Sequence, residues 1–125
     1  MNEKYREICE NRDWRVTVDN DGVVELEKYS PAGEDFTFTA RAGHFVEDVK
    51  EYAASFDIDE HIEMWLLAKR SGTQGVPSAR ELVHDAEDID KMLRELACAL
   101  QNAELEAKAK RSIVRVREIF FTEVQ

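Results

Sequence analysis

Carboxylates are the groups in this sequence with the numbers and spacing to do chemistry. Asp and Glu total 27 against 17 Lys and Arg, a formal net charge of −10 over 125 residues. The excess is uneven. Residues 1–42 hold six basic and ten acidic side chains, residues 43–90 four and twelve, and residues 91–125 seven and five. The middle third therefore carries most of it, at Glu47, Asp48 and Glu51, then Asp57, Asp59, Glu60 and Glu63, then Asp85, Glu87 and Asp88. Acids at this density could chelate a cation, work as an acid–base pair, or present a charged surface.

Chelation is the weakest of these readings. Asp57, Asp59, His61 and Glu63 alternate, but a calcium loop starting at Asp57 needs Gly at its sixth place and Glu at its twelfth, where Ile62 and Ala68 stand. Nor do His61 and Glu63 make a zinc-binding HExxH, whose histidines are four residues apart. A helix start fits better: Asp57 as N-cap, with Glu60 three residues on completing a capping box. No catalytic residue, metal site or cofactor is expected. His44, His61 and His84 are scattered, and no serine occupies a GxSxG elbow. Cys98 lies in an Ala/Leu stripe and reads as a small core residue. A small metal-dependent hydrolase is the least favoured reading.

A charged surface remains. An excess of negative charge opposes direct binding to nucleic acid or anionic membrane, because such affinity comes from Lys and Arg neutralising phosphates. It favours a basic protein surface, including that of an enzyme that handles nucleic acid, where spaced carboxylates could stand in for phosphates. The plainer alternative is a solvated coat, with acids at helix starts interacting favourably with the helix dipole.

The elements that must position these acids form one α+β domain over residues 1–125. A short helix is expected at 3–11. A three-stranded antiparallel meander spans about 14–40: Trp14, Val16 and Val18 alternate with polar residues, Asp21-Gly22 supplies a tight hairpin turn, Val24 and Leu26 share a face with Lys28, and Phe36 and Phe38 alternate with Thr37 and Thr39. Ser30-Pro31-Ala32-Gly33 reads as the second turn. Three to four helices over about 44–125 should cover the sheet. One carries Phe45, Val49, Tyr52, Ala53 and Phe56, and the next carries Ile58, Ile62, Trp65 and Leu66. After a loop at 71–77, Ser78-Ala79-Arg80-Glu81 caps a further helix, with Asp85 or Asp88 a candidate break.

From Ile89 the stripe Ile89, Met92, Leu93, Leu96 and Leu100 has the spacing of a helix packed along another helix. With Phe120 and Phe121 it forms a candidate dimer or partner stripe. The tail beyond 104 favours a long C-terminal helix by propensity, although Val114 to Phe121 could also be read as a strand. Cys9 and Cys98 have no CxxC spacing, the N-terminus lacks an apolar leader and no stretch is long enough to span a membrane, so reduced thiols and a cytoplasmic location are expected.

The segments DGVVELEKYSPAGEDFTF, FDIDEHIEMW and GVPSARELVHDAEDIDKMLRELA resemble small acidic proteins encoded on plasmids and conjugative elements of gut bacteria, over roughly residues 12–100. The resemblance supplies no catalytic residues. It implies a context in which small non-enzymatic proteins inhibit host restriction or CRISPR enzymes, some as nucleic-acid mimics.

Overall fold

In the computed structural model the described backbone covers residues 1–29, 35–70 and 79–124, with side chains described except at 68–70, 79, 116 and 118–124. The turn expected at Ser30–Gly33, the loop at 71–77 and the Ser78 cap lie outside these residues. The order is α1 (Glu3–Glu10), β1 (Arg15–Asn20), β2 (Val23–Tyr29), β3 (Asp35–Arg41), α2 (Phe45–Ser55), α3 (Ile58–Arg70) and α4 (Ala79–Val124), with a single 3₁₀ turn at Ala42–His44 before α2.

α1 starts where Asn2 accepts amide hydrogen bonds from Lys4 and Tyr5. It ends in a Schellman-type reversal: Trp14 N–H reaches the Cys9 carbonyl, Asp13 N–H reaches that of Glu10, and Asp13 takes φ 62°. This reversal drops Trp14 into the core as β1 begins. The antiparallel sheet has order β1-β2-β3. Its first hairpin turns on Asp21 (φ 54°) and Gly22 (φ 77°), the left-handed pair a type I′ turn requires.

One sheet face is apolar. Val24, Leu26, Phe36, Phe38 and Ala40 are buried on it with Trp14, while Thr37 and Thr39 face out. Lys28 shares the apolar face yet keeps its charge satisfied, because Nζ donates to the Arg12 carbonyl at 2.8 Å and lies 5.7 Å from the Trp14 ring centre. The expected alternation fails at Val18. A bulge between Val16 and Val18 pairs Val16 with Leu26 but Val18 with Glu25, so Val18 turns to solvent.

The helices supply the cover. Phe45, Val46, Val49 and Ala53 of α2, with Cys9 of α1 and Ile89, Leu93, Leu96, Ala97 and Leu100 of α4, close one core over the sheet. Asp48 fastens the start of α2 to the end of β3: the Arg41 backbone N–H and Nε donate to its Oδ2 at 2.8 and 3.0 Å, and Nη2 donates to Oδ1 at 2.9 Å. The forked contact holds the Asp48 carboxyl down to about 2.

α4 bears out the expected long C-terminal helix and corrects two other expectations, a break at Asp85 or Asp88 and a core Cys98. It is one uninterrupted helix of 46 residues, about 69 Å at 1.5 Å per residue, with no break at Asp85 or Asp88 and no strand in the tail. Cys98, expected in the core, is exposed, whereas Cys9 is buried and its thiol is pushed up to about 12 by that burial. Among the described residues, no helix is long and apolar enough to cross a membrane.

Candidate functional site

Two helices meet at Phe56 and Asp57, and the chemistry of the molecule concentrates there. α2 ends as Phe56 turns extended (ψ 121°). Asp57 then opens α3, its Oδ1 accepting the Glu60 N–H at 3.0 Å as a capping residue does. The reversal leaves a cleft of about 370 Å³ lined by Phe36, Tyr52, Ser55, Phe56, Asp57, Glu60, His61 and Met64.

Phe36 forms the hub of the aromatic wall. Its ring lies 6.0 Å from Phe56, edge to face, 6.3 Å from Tyr52 and 6.1 Å from His61. Tyr52 is itself fixed by stacking on Phe38 at 4.7 Å. Ser55 Oγ donates to the Tyr52 carbonyl at 3.1 Å, so its one hydrogen is already used. Asp57 and Glu60, both exposed, complete the mouth.

Behind the wall stands Asp85, 2% exposed, reached from the second turn of α4. His61 Nε2 lies 3.9 Å from its Oδ2, beyond hydrogen-bond distance. Burial lowers the His61 pKa below its ordinary value and the Asp85 charge partly restores it, so the imidazole is held toward its neutral form.

The acids expected on one face divide into three kinds. Glu47, Glu51, Asp57, Asp59, Glu60, Glu63, Glu87 and Asp88 are exposed, as a docking surface requires. Asp48 is tied up by Arg41. Asp85 is buried, so it belongs to the His61 contact and cannot meet a partner directly. Among the described residues, the only cation within ion-pair distance of any of the eight exposed acids is His44, 3.4 Å from Glu47; Arg41, held by Asp48, acts on Glu47 and Glu51 from further off. No three His, Cys, Asp or Glu side chains among the described residues gather closely enough to share a metal ion.

The candidate dimer stripe is placed differently from expectation. Ile89, Leu93, Leu96 and Leu100 are buried in the chain's own core and Met92 packs against it, so this stretch is already covered. Phe120 and Phe121 lie on the last turns of α4, and their side chains fall outside the described residues. Beyond Ala103 no described residue of α4 is buried: Leu105, Ile113 and Val114 are 52%, 54% and 53% exposed.

Sequence reasoning missed the cleft. Phe36, Tyr52 and Phe56 carry apolar periodicities that point to the core, and His61 reads as scattered. The available signal was Phe56-Asp57: an aromatic residue immediately before an N-cap sits where two helices reverse direction. No family model, curated protein or solved structure matches the chain. Function is therefore read from the geometry.

Proposed function

We propose that this chain is a non-catalytic docking protein that presents the carboxylates of α2, α3 and the start of α4 to a basic protein surface, of the kind that otherwise grips nucleic-acid phosphates. One observation carries the reading: Glu51, Asp57, Asp59, Glu60, Glu63, Glu87 and Asp88 are exposed and, among the described residues, none is neutralised by an ion pair. Carboxylates that serve only solubility gain from interspersed Lys and Arg, which residues 43–90 largely lack. A surface left uncompensated keeps its field for steering a partner of opposite charge. An inhibitor of a host defence enzyme is the most specific form of this role.

The test uses a defined probe, a short oligo-lysine peptide. Binding should weaken steeply as salt rises from about 0.01 M to about 1 M, where the screening length falls from about 30 Å to about 3 Å. It should also weaken when Asp57, Asp59, Glu60 and Glu63 become Asn, Asn, Gln and Gln together. Binding indifferent to both changes refutes the reading. Applied to a captured partner, the same logic requires that the chain displace nucleic acid from it.

A second reading, a structural or regulatory homodimer, rests on a separate observation, the exposed Leu105, Ile113 and Val114 on the far half of α4. If those residues are covered by a second copy, the chain is dimeric in solution and becomes monomeric on truncation after Leu105. A monomer in both forms removes this reading.

A further inference from the structure

We propose that the cleft between α2 and α3 is a socket for a single arginine side chain offered by the partner protein, its guanidinium lying against the Tyr52 and Phe56 rings and donating to Asp57 and Glu60. This rests on the docking reading above and gives it a specific anchor.

The argument begins with which hydrogen-bonding groups are left. The Glu60 carboxylate has no partner among the described residues, and Asp57 commits one oxygen to the α3 cap by accepting the Glu60 N–H, leaving the other open. Ser55 has spent its hydrogen on the Tyr52 carbonyl and can only accept. The Asp57 and Glu60 carboxylates at the mouth only accept, while the Tyr52 hydroxyl and the His61 ring elsewhere in the lining can also donate. It is therefore the carboxylate side of the cleft that calls for a group that only donates. Among side chains, the Lys ammonium, the Arg guanidinium and the Trp indole only donate, and of these Lys and Arg carry the positive charge that two carboxylates call for.

Charge and shape then narrow the choice. An anion is opposed by Asp57 and Glu60 at the mouth and by Asp85 behind the wall. A neutral apolar ligand would desolvate two carboxylates with nothing to pair them. The walls favour arginine over lysine, because a planar guanidinium stacks on aromatic faces and forks onto carboxylates, whereas an ammonium is a compact, strongly hydrated charge. A cavity of about 370 Å³ is within the range of preformed small-ligand clefts. The rings are held by Phe36 and by the Tyr52–Phe38 stack, so the socket needs little ordering when a ligand enters.

Titration by nuclear magnetic resonance on the full chain tests this, with capped tripeptides Gly-Arg-Gly, Gly-Lys-Gly and Gly-citrulline-Gly as probes. Citrulline keeps the shape of arginine and removes its charge. The arginine peptide should give saturable shifts confined to the amides around Ser55–Met64, at least threefold tighter than the lysine peptide and tenfold tighter than the citrulline one. Glu60→Gln should weaken it at least threefold. Asp57→Asn keeps a capping side chain and so separates loss of charge from loss of fold, which circular dichroism monitors. Phe56→Leu should weaken arginine more than lysine.

Shifts scattered over the surface, equal affinity for arginine and citrulline, or equal affinity for arginine and lysine overturn the socket. The two failures are distinguishable. If oligo-lysine binds in a salt-dependent way but the arginine peptide does not seat in the cleft, the socket falls and the docking surface stands. If the arginine peptide seats while oligo-lysine ignores the acid-to-amide variants, the socket stands and the broader docking surface falls.

Discussion

The two halves of α4 share one backbone conformation and one alternation of apolar with charged residues, yet they stand in opposite relations to the rest of the chain. From Leu82 to Ala103 the seam Leu82, Ala86, Ile89, Leu93, Leu96, Leu100 and Ala103 is buried. Beyond it Leu105, Ile113 and Val114 are in water, among Lys108, Lys110, Arg111, Arg115 and Arg117. Periodicity thus identifies a face that can be covered, and it does not say what covers it. The net charge reverses along the same helix, so the acidic, cleft-bearing end and the basic, apolar-flecked end offer themselves to different chemistry.

The largest expected effect separates the halves by stability. Leu93→Ala should cost about 2–5 kcal/mol, the range for a fully buried leucine whose site collapses only partly. Leu105→Ala should stay within about 0.5 kcal/mol, as for an exposed site. Urea denaturation at fixed protein concentration reads both. Should Leu105→Ala approach the cost of Leu93→Ala, the far half is covered in solution and the two halves do not differ.

A smaller effect sharpens the same contrast through the backbone. Glu95→Gly and Ala109→Gly both place glycine at exposed helical sites, where the intrinsic penalty is about 1 kcal/mol. At Glu95 the core holds the helix, so the whole penalty should appear in global stability. At Ala109 helicity should fall with little change in the unfolding midpoint, because a helical stretch without tertiary cover opens locally and need not unfold the domain. Circular dichroism and amide exchange follow the two variants. Full exchange protection beyond Ala109 would show that the half is not on its own.

Against these expectations it is plain which parts of the molecule were legible in the sequence. The meander, its Asp21-Gly22 turn, α1 and α2 follow from period and turn chemistry, because local interactions decide them. For the tail of α4, by contrast, propensity favours helix and leaves a strand open, because Val114 to Phe121 fit both periods. Val18 was misplaced because a bulge leaves no mark in an alternating sequence until pairing is known. Cys98 was misplaced for a related reason: Ala97, Cys98 and Ala99 are all small, and helix phase relative to the sheet decides which one is buried. The acids were legible as a group, but Asp48 and Asp85 look like their neighbours in sequence and differ only by long-range partners, Arg41 in one case and His61 in the other. The cleft needed tertiary structure altogether, since β3, α2 and α3 each bring rings to it.

The smallest effect is a pH dependence confined to the near half. His61 in the folded chain has a pKa below its ordinary value of 6.5, so the unfolded chain takes up its proton first. Stability from this group is therefore intact above about pH 6.5 and declines as pH falls toward the lowered folded value. Asp48 acts in a separate window. Its folded value of about 2 lies below the ordinary 3.8, so its contribution is complete above 3.8 and is lost as pH falls toward 2. His61→Gln should flatten the upper limb and leave the lower one, and Asp48→Asn should do the reverse, in unfolding midpoints measured from pH 7 to pH 2.5. Truncation after Leu105 should leave both limbs in place, because His61, Asp85, Arg41 and Asp48 all lie before it. If truncation erases the upper limb, the far half of α4 reaches back to the His61 contact, and the two halves are not independent.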